Sequence, residues 1–289
     1  MIHPTALVDP AAQLADDVEV GPFSVIGPDV TIGAGSVIGP HVVVKGPTVL
    51  GERTRIFQFA SVGEDCQDKK YAGEPTRLVM GDDNVIREGV TLHRGTVQDR
   101  SETTIGSRNL FMAYVHVGHD CVIGNDCILA NQVTLAGHVT LGDHAILGGL
   151  AAVHQFCHFG DHAMAGGGSI ITKDTPAYVM INGNPAEARG LNLVGLKRRG
   201  FSREAIAALS TAYKLVYRQG LTVEQAVSEM RNRFDLPEVA LFADSIERST
   251  RGIVRKYSSN RLSRHYDTAA RIPCGRRTLR RYPWCWADA

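Results

Sequence analysis

From Ile2 to Val62 an apolar residue falls at every sixth position without a failure: Ile2, Val8, Leu14, Val20, Ile26, Ile32, Ile38, Val44, Leu50, Ile56 and Val62. The beat resumes at Met80, Ile86 and Leu92. It then runs from Ile105 through Phe111, Val117, Ile123, Leu129, Leu135, Leu141, Leu147, Val153, Phe159 and Ala165 to Ile171. A helix repeats at about 3.6 residues and a strand at about 2, so neither alone has this period. A short strand plus a turn, repeated around a prism, does. Two residues before the rungs stands a second, mostly small column: Ser24, Val30, Ser36, Val42, Val115, Cys121, Cys127, Val133, Ala145, Ala151 and Cys157. Both columns are expected to point inward. Three units make a coil of eighteen residues, and stacked strands lie about 4.8 Å apart, so the rungs predict eight to nine coils in a column on the order of 40 Å tall.

Two polar excursions leave the wall, one over 63–79, where Asp68 and Glu74 stand at the expected rungs, and one over 97–104. Long loops on a rigid solenoid are favoured places for binding groups. The solenoid is expected over 1–188 and a helical domain over 189–255. There Ser202 caps a helix bearing Ile206, Leu209, Tyr213, Val216 and Tyr217 and ending at Gly220; Thr222 and Gln225 form a capping box; and a third helix runs from Pro237 to about Val254.

Charge divides the chain unevenly: residues 1–254 carry 22 Lys/Arg against 28 Asp/Glu, and 255–289 carry nine against two. The basic, aperiodic tail 256–289 suits nucleic acid or a membrane surface in principle, but its composition favours a disordered extension. No apolar run reaches the roughly 18 residues of a membrane span, and the N-terminus lacks a signal-peptide profile, so a cytoplasmic protein is expected. The six cysteines have no metal-ligand spacing and read as reduced thiols. Cys121, in the inward column, reads as core rather than nucleophile.

Eight of the eleven histidines fall between residues 93 and 162: His93, His116, His119, His138, His144, His154, His158 and His162. None occupies an inward column, so they are expected on the outer face or at corners, with His158 and His162 as solvated turn residues. His119 and His138 lie one coil plus one position apart. Asp120 is placed to orient an imidazole, as a general base near neutral pH requires. Gly137 can present a backbone N–H to a developing oxyanion, since no Cβ obstructs approach. This combination suits acyl transfer to a hydroxyl. One prism wall is not concave, so a homotrimer with sites between subunits is expected.

Repeats this dense resemble the hexapeptide-repeat acyltransferases, built on a left-handed parallel β-helix. The stretches IFQFASVGEDCQDKKYAGEPTR, TLHRGTV, VHVGHDCVIGNDCILAN, LAGHV, AVHQF, GLKRRGFSREAI and RSTRGIVR resemble the UDP-N-acetylglucosamine O-acyltransferases of lipid A synthesis over residues 1–255. The resemblance implies transfer of a 3-hydroxyacyl group from acyl carrier protein to the glucosamine 3-hydroxyl of UDP-N-acetylglucosamine, with no cofactor, metal or covalent intermediate. It implies His119 as base, Asp120 as its partner and the Gly137 N–H as oxyanion donor. Asp68, Lys70, His138 and Gln155 match sugar or acyl-pantetheine positions; His93, His116 and His154 match other site positions; Asn192, Arg198 and Arg199 match the nucleotide end. Gly167 matches the end of the acyl groove, where glycine admits a chain of about 14 carbons; on general grounds it also suits a tight corner. Val194 departs from the expected acidic residue near the nucleotide, and the tail has no counterpart and no catalytic role.

Two other enzymes suit part of the pattern. The N-acyltransferase of the same pathway carries an extra N-terminal domain, for which a repeat beginning at Ile2 leaves no room. A γ-type carbonic anhydrase uses three histidines on zinc, for which His93, His116, His119 and His138 are candidates, but its loops do not match. A noncatalytic scaffold needs only the inward columns, and the outward histidine cluster speaks against it.

Overall fold

The computed structural model of the chain describes residues 1–255, so the expectations for 256–289 lie outside the described residues. Strands of mostly two residues wind into three sheets of nine, eight and ten strands, parallel except for the final pair of the ten-stranded one, and up to Ile171 each strand pairs with the third one along. Leu7 pairs with Val25 and Val8 with Ile26, one eighteen-residue coil later. Across the first excursion the spacing grows to thirty, Leu50 opposite Met80, and across the second to twenty-five, Met80 opposite Ile105. The excursions are thus extruded loops, and the ladder closes behind them in register.

Each strand typically ends on its rung, so Val25–Ile26 and Val37–Ile38 turn the first residue out and the second in. β-branched residues suit this pleat. Rungs from Val20 to Ile171 are at most 2% exposed. The second column is buried too, and its polar members cap turn amides, Ser24 Oγ accepting from Val42 N at 3.1 Å and Ser36 Oγ from Thr54 N at 3.1 Å. The column's beginning differs from expectation: Ile2 is 50% exposed and Val8 and Leu14 are half-buried, because no coil lies beneath them.

Most turns of the prism have left-handed backbone at their corners. Asp120 (φ 57°), His138 (φ 61°), His144 (φ 58°), Phe156 (φ 65°), His162 (φ 57°) and Tyr178 (φ 66°) supply it. Asp and His tolerate this region better than most side chains. Part of the histidine abundance is therefore corner chemistry.

After Ile171 the coil ends in Val179–Asn182, against which Glu187–Leu191 folds antiparallel. Four helices come next: α1 (Leu193–Arg198), α2 (Arg203–Tyr217), α3 (Val223–Arg233) and α4 (Pro237–Glu247). Ser202 caps α2 through Ala205 N at 3.0 Å, and the Thr222–Gln225 capping box forms at α3. The short α1 is an addition to the three expected helices. The third of those stops at Glu247 rather than near Val254, because Asp174 captures the segment 249–254: Ser249 Oγ donates to its carboxylate at 2.7 Å and Val254 N to its carbonyl at 2.8 Å.

Candidate active site

Val117 is a rung; two residues on, the chain rounds a corner and presents His119 outward, followed by Asp120 in the left-handed region. That geometry folds the carboxylate back on its neighbour's ring, and His119 Nδ1 lies 2.8 Å from Asp120 Oδ2. Thr96, just before the second excursion, closes over the pair. Asp120 accepts from Thr96 N at 3.0 Å and Thr96 Oγ1 at 2.6 Å, and its side chain is fully buried. Burial opposes ionisation, but the bonds from His119 and Thr96 outweigh it and hold the carboxyl below its ordinary range. A buried carboxylate bonded to Nδ1 leaves Nε2 as the nitrogen free for substrate.

That nitrogen lies directly over Gly137. A Cβ there would stand 2.5 Å from His119 Nε2 and 2.5 Å from Cε1, so only glycine lets the ring settle. At the same turn position on another corner, outward amides are capped by side chains, Asn125 N by Asp143 Oδ1 at 2.7 Å and Asp143 N by Asp161 Oδ1 at 2.9 Å. Among the described residues the Gly137 N–H has no acceptor. The base nitrogen and an open donor are therefore neighbours.

His138 packs edge-on to His119 with ring centroids 4.8 Å apart and stacks on Phe156 at 4.4 Å. Asp99, from the second excursion, lies 2.7 Å from its Nδ1. On the other side His116 Nδ1 meets Thr91 Oγ1 at 2.8 Å, and burial, then the neighbouring histidines, push its pKa down to about 4. His93, expected on an outer face, is outside the column but only 4% exposed, because the first excursion folds over it. Its Nδ1 reaches Asp65 O at 2.6 Å, and burial lowers its pKa. Arg94 pins that loop by donating to Gly46 O at 2.7 Å and Gly63 O at 2.9 Å and by pairing with Asp65.

These groups surround a cavity of about 270 Å³ lined by Gln67, Asp68, His93, His116, Gly118, His119, Gly137 and Gln155. A larger one, about 380 Å³, opens beside α2 between Tyr213, Tyr217 and Arg218, without an imidazole or carboxylate among its lining residues. Lys70 is exposed near the first rim, its amide donating to Asp68 Oδ1 at 3.0 Å. The other expected residues stand apart. His154 is exposed beside Gln155 O; Gly167 is exposed, and a Cβ on it would meet Gly149 O at 3.2 Å. Asn192 is buried and spends its side chain on His162 O and Gly195 N; exposed Arg198 and half-buried Arg199 sit on or just after α1. None of these five lines the cavity beside His119.

Thr96, Asp99, Thr91 and Gln67 escaped the sequence reading. For Gln67 and Asp99 excursion length was the available signal, but loops carry no period that tells which residue turns inward; Thr91 stands in the repeat itself, one position before the rung Leu92, where the period marks it as outward but not as a partner of His116. His158 and His162 are half-buried rather than free turn residues: burial lowers both pKa values, His162 to about 4, and His162 stacks on His144 at 4.7 Å. Cys121 is core, its thiol pushed up to about 12 by burial.

Residues 174–254 match the family described as Udp N-acetylglucosamine O-acyltransferase, Domain 2, and residues 11–46 and 102–137 match the bacterial transferase hexapeptide family. The chain is 65% identical over 256 residues to an acyl-(acyl-carrier-protein)--UDP-N-acetylglucosamine O-acyltransferase of Stutzerimonas stutzeri, covering 88% of this chain and 99% of that one. It is 67% identical over 255 residues to the enzyme so named from Ectopseudomonas mendocina, with the same coverage. Its fold matches the crystal structure of the UDP-N-acetylglucosamine O-acyltransferase of Moraxella catarrhalis with a TM-score of 0.86 at 50% identity, covering 88% of this chain and 99% of that chain. The class is thereby defined: a hexapeptide-repeat acyltransferase on a left-handed parallel β-helix with a C-terminal helical region. Within that class, the chain belongs to the UDP-N-acetylglucosamine O-acyltransferase family.

Proposed function

We propose that the protein transfers a (3R)-3-hydroxyacyl group from acyl carrier protein to the glucosamine 3-hydroxyl of UDP-N-acetylglucosamine, the first step of lipid A synthesis, with His119 as general base. The observation that carries the mechanism is the adjacency of His119 Nε2 to Gly137, with Nδ1 held by a buried carboxylate. Asp120 fixes the proton on Nδ1 and stabilises the imidazolium that forms when Nε2 takes the hydroxyl proton. The alkoxide attacks the thioester carbonyl. Its oxygen becomes an oxyanion facing the Gly137 N–H, and collapse expels the pantetheine thiolate. No acyl-enzyme and no bound cofactor takes part. Asp68, Lys70, His138 and Gln155 engage the sugar and acyl arm around the cavity, and His93 and His116 shape its floor.

The protein is a cytoplasmic homotrimer in which Asn192, Arg198 and Arg199 meet the nucleotide from chains adjoining the His119 that reacts, while His154 takes another position of the site. Guanidinium groups suit the diphosphate. Gly167 leaves the acyl groove open to a chain of about 14 carbons. Purified protein given UDP-N-acetylglucosamine and a series of 3-hydroxyacyl carrier proteins is expected to yield the 3-O-acylated sugar by mass, with about 14 carbons preferred. His119→Ala is expected to lower kcat by roughly 10²- to 10⁴-fold without dissociating the trimer. A near-normal rate would remove His119 as base.

A metal-dependent reading has one observation in its favour: donor atoms of His119, Asp120 and His138 lie within 4.8 Å of one another. Full acyl transfer after exhaustive chelation would dismiss it, and stoichiometric zinc with chelator-sensitive turnover would establish it.

A further inference from the structure

Another corner of the prism carries residues that the proposed chemistry does not use. His144, His162 and Tyr178 occupy it on successive coils, each with left-handed backbone. Their rings form a continuous stack, His144 on His162 at 4.7 Å and His162 on Tyr178 at 5.5 Å. Their N–H groups are spent within the column, on the carbonyls of Asn125, Asp143 and Asp161. Their carbonyls face outward and receive the segment around α1. Arg199 donates to His144 O at 3.4 Å, Asn192 Nδ2 to His162 O at 3.0 Å and Asn192 N to Tyr178 O at 2.8 Å. Phe201, just beyond α1, sets its ring edge-on against His162 at 5.1 Å and Tyr178 at 5.8 Å. Both ends of α1 are therefore fastened to one rail. His162 is its centre, touching a ring on each side and Phe201 in front.

We propose that this stacked corner is a positioning rail for α1, and that His162 acts through Arg199 to set the affinity for the nucleotide of the UDP-sugar. The inference rests on the assignment of Arg198 and Arg199 to the nucleotide end. Arg199 has no ion pair within 4.0 Å among the described residues and feels Asp126 only at longer range, so its guanidinium can take a diphosphate. A six-residue helix has few internal bonds with which to hold a guanidinium in place, so the rail must do it. What the rail needs from His162 is a flat ring. Its Nδ1 is buried with no partner, so the imidazole contributes surface there rather than a hydrogen bond. Burial, His144 and Arg199 all disfavour a charge on it.

The test compares His162→Asn, which accepts the left-handed backbone but deletes the stacking surface, with His162→Phe, which restores a ring. KM for UDP-N-acetylglucosamine is expected to rise about tenfold in His162→Asn, the equivalent of about 1.4 kcal/mol. kcat and KM for the acyl donor should stay within about twofold, and His162→Phe should return KM to near wild type. Adding His162→Asn to Arg199→Ala should raise KM no further than Arg199→Ala alone. A merely structural role would lower the active fraction and hence kcat, with KM unmoved, and that outcome overturns the proposal, as does full additivity. If His162→Asn fails to fold, an unrescued KM in a folded His162→Phe overturns it equally. If Arg199→Ala itself leaves KM unchanged, the nucleotide assignment falls, and the inference with it.

Discussion

At the scale of single residues, reactivity here depends on what each side chain is denied. Asp120 is denied solvent and keeps its charge through three donors, so it can serve only His119. Gly137 is denied a Cβ, which leaves room for the base and an uncapped amide together. Gly137→Ala adds one methyl where 2.5 Å is available, too close for any real contact, so the imidazole must move. A shift of about 1 Å at a reacting group can cost on the order of 10²-fold in rate. Gly137→Ala is expected to lose at least that much kcat while its circular dichroism stays that of the parent; full activity would mean that neither the amide nor the ring position matters. The glycine was legible as an approach site because it directly precedes His138, one coil above His119. Its contact with the ring of His119 was not, since that depends on the rotamer Asp120 imposes.

Among the elements, the two excursions contribute what the repeat cannot. A six-residue unit has no spare atoms to cover its outer face, so Thr96 and Asp99 have to come from a loop. Thr96→Val keeps the backbone donor to Asp120 and removes the hydroxyl one. With hydrogen bonds to charged groups worth about 1.5–3 kcal/mol, kcat is expected to fall about tenfold and recover in Thr96→Ser. An unchanged rate in the valine variant would show that the backbone bond suffices. The helices were legible at their starts, because Ser202, Thr222 and Pro237 mark them locally, and poorly at their ends. α4 stops at Glu247 because Asp174, seventy-five residues earlier than Ser249, offers the next stretch of chain better partners.

The whole molecule couples burial of the histidines to acid stability. His116 and His162 are each pushed by burial from 6.5 to about 4. Between those values the unfolded chain binds a proton at each ring and the folded chain does not. Stability therefore rises with pH across this window and is lost as acid is added, by at most about 1.4 kcal/mol per pH unit for each ring. Asp120, held below its ordinary range, adds a loss of the same sign at lower pH still. The thermal midpoint is expected to fall steadily from pH 6.5 to 4, and a flat profile would mean that the rings are not held neutral. The proposed intersubunit site makes a second claim at this scale. Mixing His119→Ala with Arg199→Ala chains at equal ratio, after dissociation and reassembly, should restore about a quarter of the sites in a cyclic trimer. No recovery would place both residues in a site within one chain.

The six-residue beat determined the column by itself. Side-chain direction in a strand-and-turn repeat is periodic, so inwardness at Val117 or Leu135 is written in position alone, and with it the outwardness of His119. Among the described residues no helix is long and apolar enough to cross a membrane, which the absence of long apolar runs had already implied. Tertiary structure alone decided which outward groups are wet. His93 is covered by a loop, which has no period, and His162 by neighbouring corner rings and Phe201, whose packing the period permits but does not fix. Contacts made by extruded loops and corner stacks depend on distance in space, which the order of residues along the chain does not encode position by position.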